Sequence, residues 1–337
     1  KDAFEEGQGN NDSFIAEESS QALEEDEELA KQVLSATKMD NMDIVKQSID
    51  LGKEYELWQD DNDNDSASDD NNNGRPERVW SLDPIDGTKG FLRGKREGGQ
   101  YCVALALLEN GVPTIGILGC PNLPASATDF NYAWGEEETA ENNQQSRGCI
   151  FVATKDGGCY QLPYIPSTTD GTAGTPAATP AKQIHVTPND TDDPSEGRFC
   201  IGVEKFSDAL GQGIRTAQVL HGAGALNAEG EIIKAKRIDS QAKYGVLARA
   251  GAEYYARFTK PQYVEWIWDH APGFVVLTEA GGQMSDLDGN DIDFSLGAKL
   301  SDQVAGVLGS NGGACHAALV DAFQTQEAER LLTMTPE

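Results

Sequence analysis

The chain has 337 residues, with 56 acidic against 26 basic side chains and a formal net charge of −30. Nucleic acids and anionic membranes would repel such a chain, so we expect neither as a partner held by charge. We interpret most of the surplus as a solvated acidic surface. The length suffices for a sizeable core and favours two domains or one large α/β domain.

Helices are predicted in the first fifty residues. Residues 21–36 carry apolar side chains at helical spacing, and residues 42–51 predict a second helix with Gly52 as its C-cap. The next segment, residues 59–74, consists almost entirely of Asp, Asn and Ser. It does not fit a calcium-binding loop, because the required glycine and the closing glutamate are missing. We therefore expect an extended acidic surface loop.

The sequence WSLDPIDGTKGFLRG follows and contains two acids three residues apart. Asp83 and Asp86 would repel each other unless a positive charge lies between them. Their carboxylates and the carbonyl of Ile85 are oxygen ligands of the kind that Mg²⁺ prefers. Gly87 lets the backbone approach a ligand closely, and the first N–H groups of the following helix, with the Thr88 hydroxyl, would form an anion cradle. A metal beside such a cradle indicates phosphate hydrolysis.

Two other acidic segments could complete this site. FIAEESS places Glu17 and Glu18 after a predicted strand, and EWIWDHAPG places Asp269 at the start of a predicted helix. Taken alone, a glutamate pair is usually solvent-exposed, and an aspartate at a helix start is usually an N-cap. A purely structural turn in the central motif would explain Asp86 but would leave Asp83 without a reason.

The two halves of the chain show different patterns of predicted elements. The stretch QYCVALALLENGVPTIGILGC predicts a hairpin that turns at Asn110-Gly111. Further strands are predicted at residues 131–134, 149–153, 199–203, 254–258 and 304–308, and further helices at residues 241–250, 270–280 and from 314. We expect an α/β protein, with an α+β first half and an α/β second half.

A stretch rich in Thr, Ala, Gly and Pro divides the chain. We expect a linker or insertion at residues 166–192, between an α+β metal-binding domain at 1–165 and an α/β substrate-binding domain at 193–337. The six cysteines include no C-x-x-C pair and several lie in apolar stretches, which indicates reduced, buried thiols of an intracellular protein. No apolar run is long enough to span a membrane.

The segments EES, DPIDGT and WDHA, in this order, resemble motifs of the lithium-sensitive, magnesium-dependent phosphatase superfamily of inositol monophosphatase. GVEK at residues 202–205 and DSQAKY at residues 239–244 resemble the 3′(2′),5′-bisphosphate nucleotidases within it. The matching stretches cover much of residues 14–311, without the two low-complexity segments. The resemblance implies a layered αβαβα sugar-phosphatase-like fold. It also implies hydrolysis of 3′-phosphoadenosine 5′-phosphate, and of 3′-phosphoadenylyl sulfate as a further substrate.

The resemblance also implies the residues of the site. Two or three Mg²⁺ ions would be held by Glu17, Asp83, the Ile85 carbonyl, Asp86 and Asp269. Thr88 and Asp86 would act on the attacking water. The bisphosphorylated nucleotide would contact Gly87, Thr88, Ser207, Ser240, Lys243, Arg257 and Asp269. A substrate with two phosphates needs a cationic site away from the metals; the alternatives are a helix-surface lysine for Lys243 and a structural ion pair for Arg257.

The chain departs from the family pattern in three places. The family carries an ADxxAQ-type segment whose aspartate activates water, but the sixteen residues before Glu17 do not contain it, so we expect a truncated chain. Ser207 stands at or near the position where the nucleotidases place a substrate-contacting histidine. Pro272 replaces an alanine, which the first turn of a helix tolerates.

Two other functions stay open at this point. One is a phosphatase acting on inositol bisphosphates, similar to inositol polyphosphate 1-phosphatase. The other is a non-catalytic homologue that binds a nucleotide or a cation, which the missing upstream aspartate would favour. We expect a monomer in the cytoplasm or in an organelle such as a plastid or mitochondrion.

Overall fold

The computed structural model describes residues 12–37, 41–52, 76–94, 98–124, 147–163, 181–188, 193–203, 211–260 and 262–334. Within these ranges the chain forms two β-sheets, eight α-helices and several 3₁₀ turns. The predictions for residues 59–74, for residues 131–134 and for Ser207 lie outside the described residues.

The first sheet has seven strands that follow one another in chain order. They are β1 (Asp12–Ala16), β2 (Arg78–Asp86), β3 (Cys102–Glu109), β4 (Val112–Pro124), β5 (Arg147–Thr154), β6 (Gly158–Pro163) and β7 (Lys182–Ile184). Neighbouring strands are antiparallel, except that β1 and β2 are parallel. The predicted hairpin joins β3 and β4; Asn110 and Gly111 have φ values of 52° and 77°, as a type I′ turn requires.

The first four helices are α1 (Gln21–Glu25), α2 (Glu27–Thr37), α3 (Met42–Asp50) and α4 (Thr88–Arg93). The single helix predicted over residues 21–36 is interrupted at Asp26. The Asp26 carboxylate accepts hydrogen bonds from the N–H groups two and three residues ahead and so caps a new helix. Gly52 does not have the left-handed backbone of a C-cap glycine. A Cβ there would lie 2.4 Å from the Ala16 Cβ, so Gly52 permits the chain after α3 to approach β1.

The second sheet has the order β11-β12-β10-β8-β9. Its strands are β8 (Phe199–Ile201), β9 (Ala235–Arg237), β10 (Tyr254–Phe258), β11 (Gln283–Asp286) and β12 (Gly306–Ser310). Strands β10, β8 and β9 are parallel, and β12 is antiparallel to both of its neighbours. The remaining helices are α5 (Gln212–His221), α6 (Ala242–Ala248), α7 (Ala271–Glu279) and α8 (Gly313–Met334).

Helices α6 and α7 lie between the two sheets. Gly116 of β4 has no room for a side chain, because a Cβ there would lie 2.5 Å from the carbonyl oxygen of Pro272 on α7. On the side of the second sheet, the ring of Tyr244 on α6 packs against the ring of Tyr255 on β10. The ring centres are 4.9 Å apart. Helices α5 and α8 cover the far face of the second sheet, where a second apolar cluster is buried. This layered arrangement confirms the predicted α/β class.

The larger apolar core joins residues from both halves of the chain, for example Ile15, Phe151 and Val276. Strand β7 lies inside the stretch predicted as a linker and pairs with β6. The division into domains at residues 165 and 193 stays a prediction. All six cysteines are buried free thiols, as expected. Among the helices of the described ranges, none combines the length and the apolar content that crossing a bilayer requires.

Candidate metal centre

The end of strand β2 carries two buried acids. In a regular strand, residues three apart point to opposite faces of the sheet. The pairing of β2 with β3 shifts register between Asp83 and Asp86, around Pro84, which cannot donate a ladder hydrogen bond. Because of this irregularity, carboxylate oxygens of Asp83 and Asp86 lie within 4.8 Å of each other. Asp83 is only 1% exposed.

The predicted acids from the other motifs join them. Asp269 ends a 3₁₀ turn, Ile267–Asp269, just before α7. One carboxylate oxygen each of Asp83, Asp86 and Asp269 lies within 4.8 Å of the others. Glu17 follows β1, its N–H donates to the Leu82 carbonyl at 3.2 Å, and its carboxyl group is hydrogen-bonded to that of Asp83. The structure thus brings together acids that the sequence separates widely.

The clustered acids of this centre have raised pKa values, which favours the binding of a cation. Burial, with the charges of Asp86 and Glu17, raises the pKa of Asp83 to about 10. Burial likewise raises the pKa of Glu17 and, against the opposing effect of Arg257, the pKa of Asp269. Buried acids at this distance are destabilising unless positive charge compensates them. The donors are all oxygen, so the residues fit a hard divalent cation.

The turn after β2 is held by its own hydrogen bonds. The Ile85 N–H donates to Asp83 Oδ1 at 3.0 Å, and the Thr88 hydroxyl donates to the Ile85 carbonyl at 3.3 Å. Gly87 has a φ of 85°, in the left-handed region that favours glycine. A Cβ on Gly87 would lie 2.9 Å from the Ser240 Cβ. The backbone that Gly87 allows to come close is therefore the segment around Ser240, and not a ligand.

The DSQAKY segment lies directly against this turn. The main-chain N–H of Gln241 donates to Asp86 Oδ2 at 2.5 Å, and the Asp239 carboxylate is paired with Arg93. Lys243 is buried, and its Nζ donates to the carbonyl oxygens of Ile238 at 3.1 Å and Ser240 at 2.7 Å. Burial lowers the pKa of Lys243. The alternative of an exposed helix-surface lysine is therefore wrong.

Arg257 forms ion pairs, which was the alternative to substrate binding in the interpretation of the sequence. Its Nε donates to Glu265 Oε1 at 2.6 Å, and its Nη2 donates to Asp269 Oδ2 at 3.2 Å. Burial alone would raise the pKa of Glu265, but the Arg257 guanidinium lowers this pKa to about 2. His270 lies behind this pair, with Nε2 3.2 Å from Glu265 Oε2 and Nδ1 2.9 Å from the Tyr244 hydroxyl.

Arg257, which is paired with Asp269, also lines a cavity of about 290 Å³. Lys243, Arg257 and Lys260 bring positive charge to its wall, and Tyr255 and Tyr263 contribute aromatic rings. Sequence reasoning named Lys243 and Arg257 but missed Glu265 and Gln241. A glutamate within VEWIWD and a glutamine within DSQAKY carry no local pattern that would reveal partners elsewhere in the chain.

Two mixed sheets with helices between them and a buried, oxygen-only acidic centre are typical of metal-dependent α/β enzymes. Residues 8–328 match the inositol monophosphatase family. The chain belongs to this family.

Three curated relatives within the family illustrate the similarity. A 3′(2′),5′-bisphosphate nucleotidase of Emericella nidulans is 36% identical over 294 residues, which are 86% of this chain and 75% of that protein. The protein of the same name from Schizosaccharomyces pombe is 35% identical over 306 residues, 89% of this chain and 72% of that protein. The one from Oryza sativa is 37% identical over 303 residues, 89% of this chain and 73% of that protein.

Proposed function

We propose that this chain is a Mg²⁺-dependent phosphomonoesterase that removes the 3′-phosphate of 3′-phosphoadenosine 5′-phosphate, giving AMP and phosphate. We include 3′-phosphoadenylyl sulfate as a further substrate. The observation that carries the proposal is the convergence of Asp83, Asp86 and Asp269 within 4.8 Å. It occurs in a chain whose relatives, at 35% and 36% identity, are named 3′(2′),5′-bisphosphate nucleotidase.

The acidic centre would hold two or three Mg²⁺ ions. The ligands in this proposal are Glu17, Asp83, the Ile85 carbonyl, Asp86 and Asp269. When bound, Mg²⁺ supplies a water of lowered pKa and offsets the negative charge of the phosphate. The Thr88 hydroxyl donates its hydrogen to the Ile85 carbonyl, so its oxygen is left to accept a hydrogen bond from water. We assign Thr88 the orientation of the attacking water on this basis, with Asp86 beside it.

The second phosphate would enter the cationic cavity. Two of the three Nζ donors of Lys243 are used by carbonyl oxygens, and Nζ lies 5.4 Å from the centre of the Tyr255 ring. The third donor would serve a phosphate oxygen. Arg257 also lines the cavity, although Asp269 and Glu265 share its guanidinium. Gly87 and Ser240 would contribute contacts at the mouth of the site, and Asp269 and Ser207 would complete the substrate contacts.

The proposal also covers the oligomeric state of the protein and its compartment. We propose a monomer that acts in a reducing compartment, the cytoplasm or an organelle. Six buried free thiols support such a compartment, since disulfides are rare in reducing environments.

The substrate is tested by a direct comparison. Purified protein with Mg²⁺ is offered 3′-phosphoadenosine 5′-phosphate or inositol 1,4-bisphosphate at equal concentration, and released phosphate is measured. We expect kcat/KM to be at least 100-fold higher for the nucleotide than for the inositol phosphate. Preferential release from the inositol phosphate would instead make the chain an inositol bisphosphate phosphatase. Binding of the nucleotide with Mg²⁺ but without turnover, in a protein that includes the upstream aspartate of the family pattern, would make it a non-catalytic homologue.

A further inference from the structure

Gln241 connects two parts of the acidic centre. The residue stands immediately before α6 and is 4% exposed. Its main-chain N–H donates to Asp86 Oδ2 at 2.5 Å. Both ends of its side-chain amide are also engaged: Nε2 donates to the Trp268 carbonyl at 2.7 Å, and Oε1 accepts from the Gly273 N–H at 3.1 Å. One residue therefore makes three hydrogen bonds to two separate segments.

The partners of the amide stand on both sides of Asp269. Trp268 precedes Asp269 directly, and Gly273 lies in the first turn of α7, which follows it. The amide thus spans the short segment that carries this carboxylate. Because all of these groups are buried, each hydrogen bond left unmade would cost the full desolvation of a polar group. The position of Asp269 relative to Gln241 is accordingly well determined.

The backbone around Gln241 is fixed as well. Ser240 has a φ of 67°, a left-handed conformation that is uncommon outside glycine. A Cβ on Gly87 would lie 2.9 Å from the Ser240 Cβ, so the turn that follows Asp86 packs directly on this segment. Gln241 is therefore held against Asp86 on one side and against the Asp269 segment on the other.

We propose that Gln241 is a positioning residue of the metal centre, which sets the separation of Asp86 and Asp269 and thereby the affinity for Mg²⁺. The inference rests on the proposed function only in taking these two aspartates as metal ligands. It does not depend on which phosphate ester is hydrolysed. Groups that orient metal ligands typically account for about 10- to 100-fold in metal affinity or activity.

The test uses Gln241→Met, which keeps the approximate volume but removes the amide. A matched control is Gln326→Met on α8. Gln326 is 1% exposed, and its amide accepts from Arg215 Nε at 2.8 Å and donates to Glu327 Oε1 at 2.9 Å. Both variants lose a buried amide, but only the first loses hydrogen bonds to the segment that carries Asp269. The main-chain hydrogen bond from Gln241 to Asp86 is kept in both.

Mg²⁺ affinity of the full chain is measured by calorimetric titration without substrate. We expect Gln241→Met to weaken Mg²⁺ binding about 10- to 100-fold, and Gln326→Met to stay within twofold of the wild type. In assays on 3′-phosphoadenosine 5′-phosphate, the Mg²⁺ concentration for half-maximal activity should rise in parallel for Gln241→Met. The KM for the nucleotide at saturating Mg²⁺ should change less than threefold.

A folded Gln241→Met protein with wild-type Mg²⁺ affinity would overturn the inference. If this variant does not fold, Gln241→Asn replaces it, since the shorter amide cannot reach both partners, and wild-type affinity there has the same consequence. Wild-type protein that binds Mg²⁺ and releases phosphate from inositol 1,4-bisphosphate but not from the nucleotide would refute the proposed substrate and leave the comparison of affinities intact. Wild-type protein that binds no Mg²⁺ would refute both.

Discussion

The guanidinium of Arg257 lies 3.2 Å from the carboxylate of Asp269, one of three carboxylates that converge within 4.8 Å of one another. This ion pair offsets part of the repulsion that Asp269 meets from Asp86. Glu265, 1% exposed, holds the guanidinium from the other side. Arg257 therefore stabilises the centre without neutralising it, because the pKa of Asp83 remains raised.

Replacing Arg257 with methionine should leave Glu265, which is 1% exposed, and Asp269, which is 14% exposed, without their arginine partner. We expect a loss of about 2 kcal/mol in the free energy of unfolding, less than for a fully buried pair, because the Arg257 side chain is 31% exposed. Arg78→Met is the control: Arg78 is 29% exposed, but its partners Asp12 and Glu109 are 25% and 45% exposed. It should cost less than about 1 kcal/mol. Urea denaturation measures both, and equal losses would contradict this account.

Replacing Asp83 with asparagine should stabilise the protein when Mg²⁺ is absent. The folded-state pKa of Asp83 is raised from 3.8 to about 10, so the folded state binds more protons than the unfolded state between these values. The metal-free protein therefore loses stability as pH rises through this window, and Asp83→Asn removes that loss. At pH 8 we expect the melting temperature of the metal-free variant to exceed that of the wild type by a few degrees.

The same Asp83→Asn variant should lose the increase in melting temperature that Mg²⁺ gives the wild type, since it lacks a carboxylate ligand. The exposed Asp302 provides the control. Asp302→Asn should keep both the wild-type melting temperature without metal and the wild-type response to Mg²⁺. A Mg²⁺ response of Asp83→Asn equal to that of the wild type would exclude Asp83 from the metal centre.

His316 should make stability depend on pH at acidic values. Its ring is buried between the hydroxyl groups of Ser310 and Ser285, each 2.9 Å from a ring nitrogen. Because the Ser285 hydroxyl donates to the Asp286 carbonyl, it accepts from His316 Nε2, and the neutral ring satisfies both contacts.

Burial lowers the pKa of His316 from 6.5 to about 4. The unfolded state then binds more protons between these values, so stability falls as pH falls from 6.5 to about 4, by at most about 3 kcal/mol. His316→Gln should flatten this part of the profile in urea denaturation series. A variant that keeps the full slope would show that other groups cause it.

Substitutions at Gly87 and Gly94 allow the cost of backbone strain to be measured apart from the cost of close packing. Their φ values are 85° and 76°, but a Cβ added at Gly87 would meet other atoms within 4 Å, whereas one added at Gly94 would point into open space. Gly94→Ala should cost about 1 kcal/mol from the left-handed backbone alone. Gly87→Ala should cost at least about 1 kcal/mol more and should reduce kcat, because it displaces Ser240 and the turn after Asp86. Urea denaturation measures both costs, and equal values for the two variants would refute the packing argument.

The sequence predicted those features of the site that are local. Asp83, Pro84 and Asp86 stand together in one motif, and Asn110-Gly111 determines a hairpin by its own backbone preference. The β10 strand and the start of α7 were also predicted within a residue, because apolar runs bounded by turn residues mark them.

The remaining features depend on contacts distant in sequence. Helix α5, in GQGIRTAQVLH, was not predicted, because its apolar residues are few and its burial comes from α8. The pairing of Arg257 with Glu265 and the hydrogen bonds of Gln241 join segments whose proximity only the folded chain establishes. Residue types alone did not distinguish a substrate-binding arginine from one in an ion pair.

We propose that Glu17, Asp83, Asp86 and Asp269 act together through Mg²⁺ on a phosphate ester. The most direct test measures phosphate release from 3′-phosphoadenosine 5′-phosphate against Mg²⁺ concentration, for the wild type and for Asp86→Asn and Asp269→Asn. We expect saturable dependence on Mg²⁺, no release of phosphate in excess chelator, and a loss of at least 100-fold in the rate of each variant. Release that persists in chelator, or that either variant retains at the wild-type rate, would contradict it.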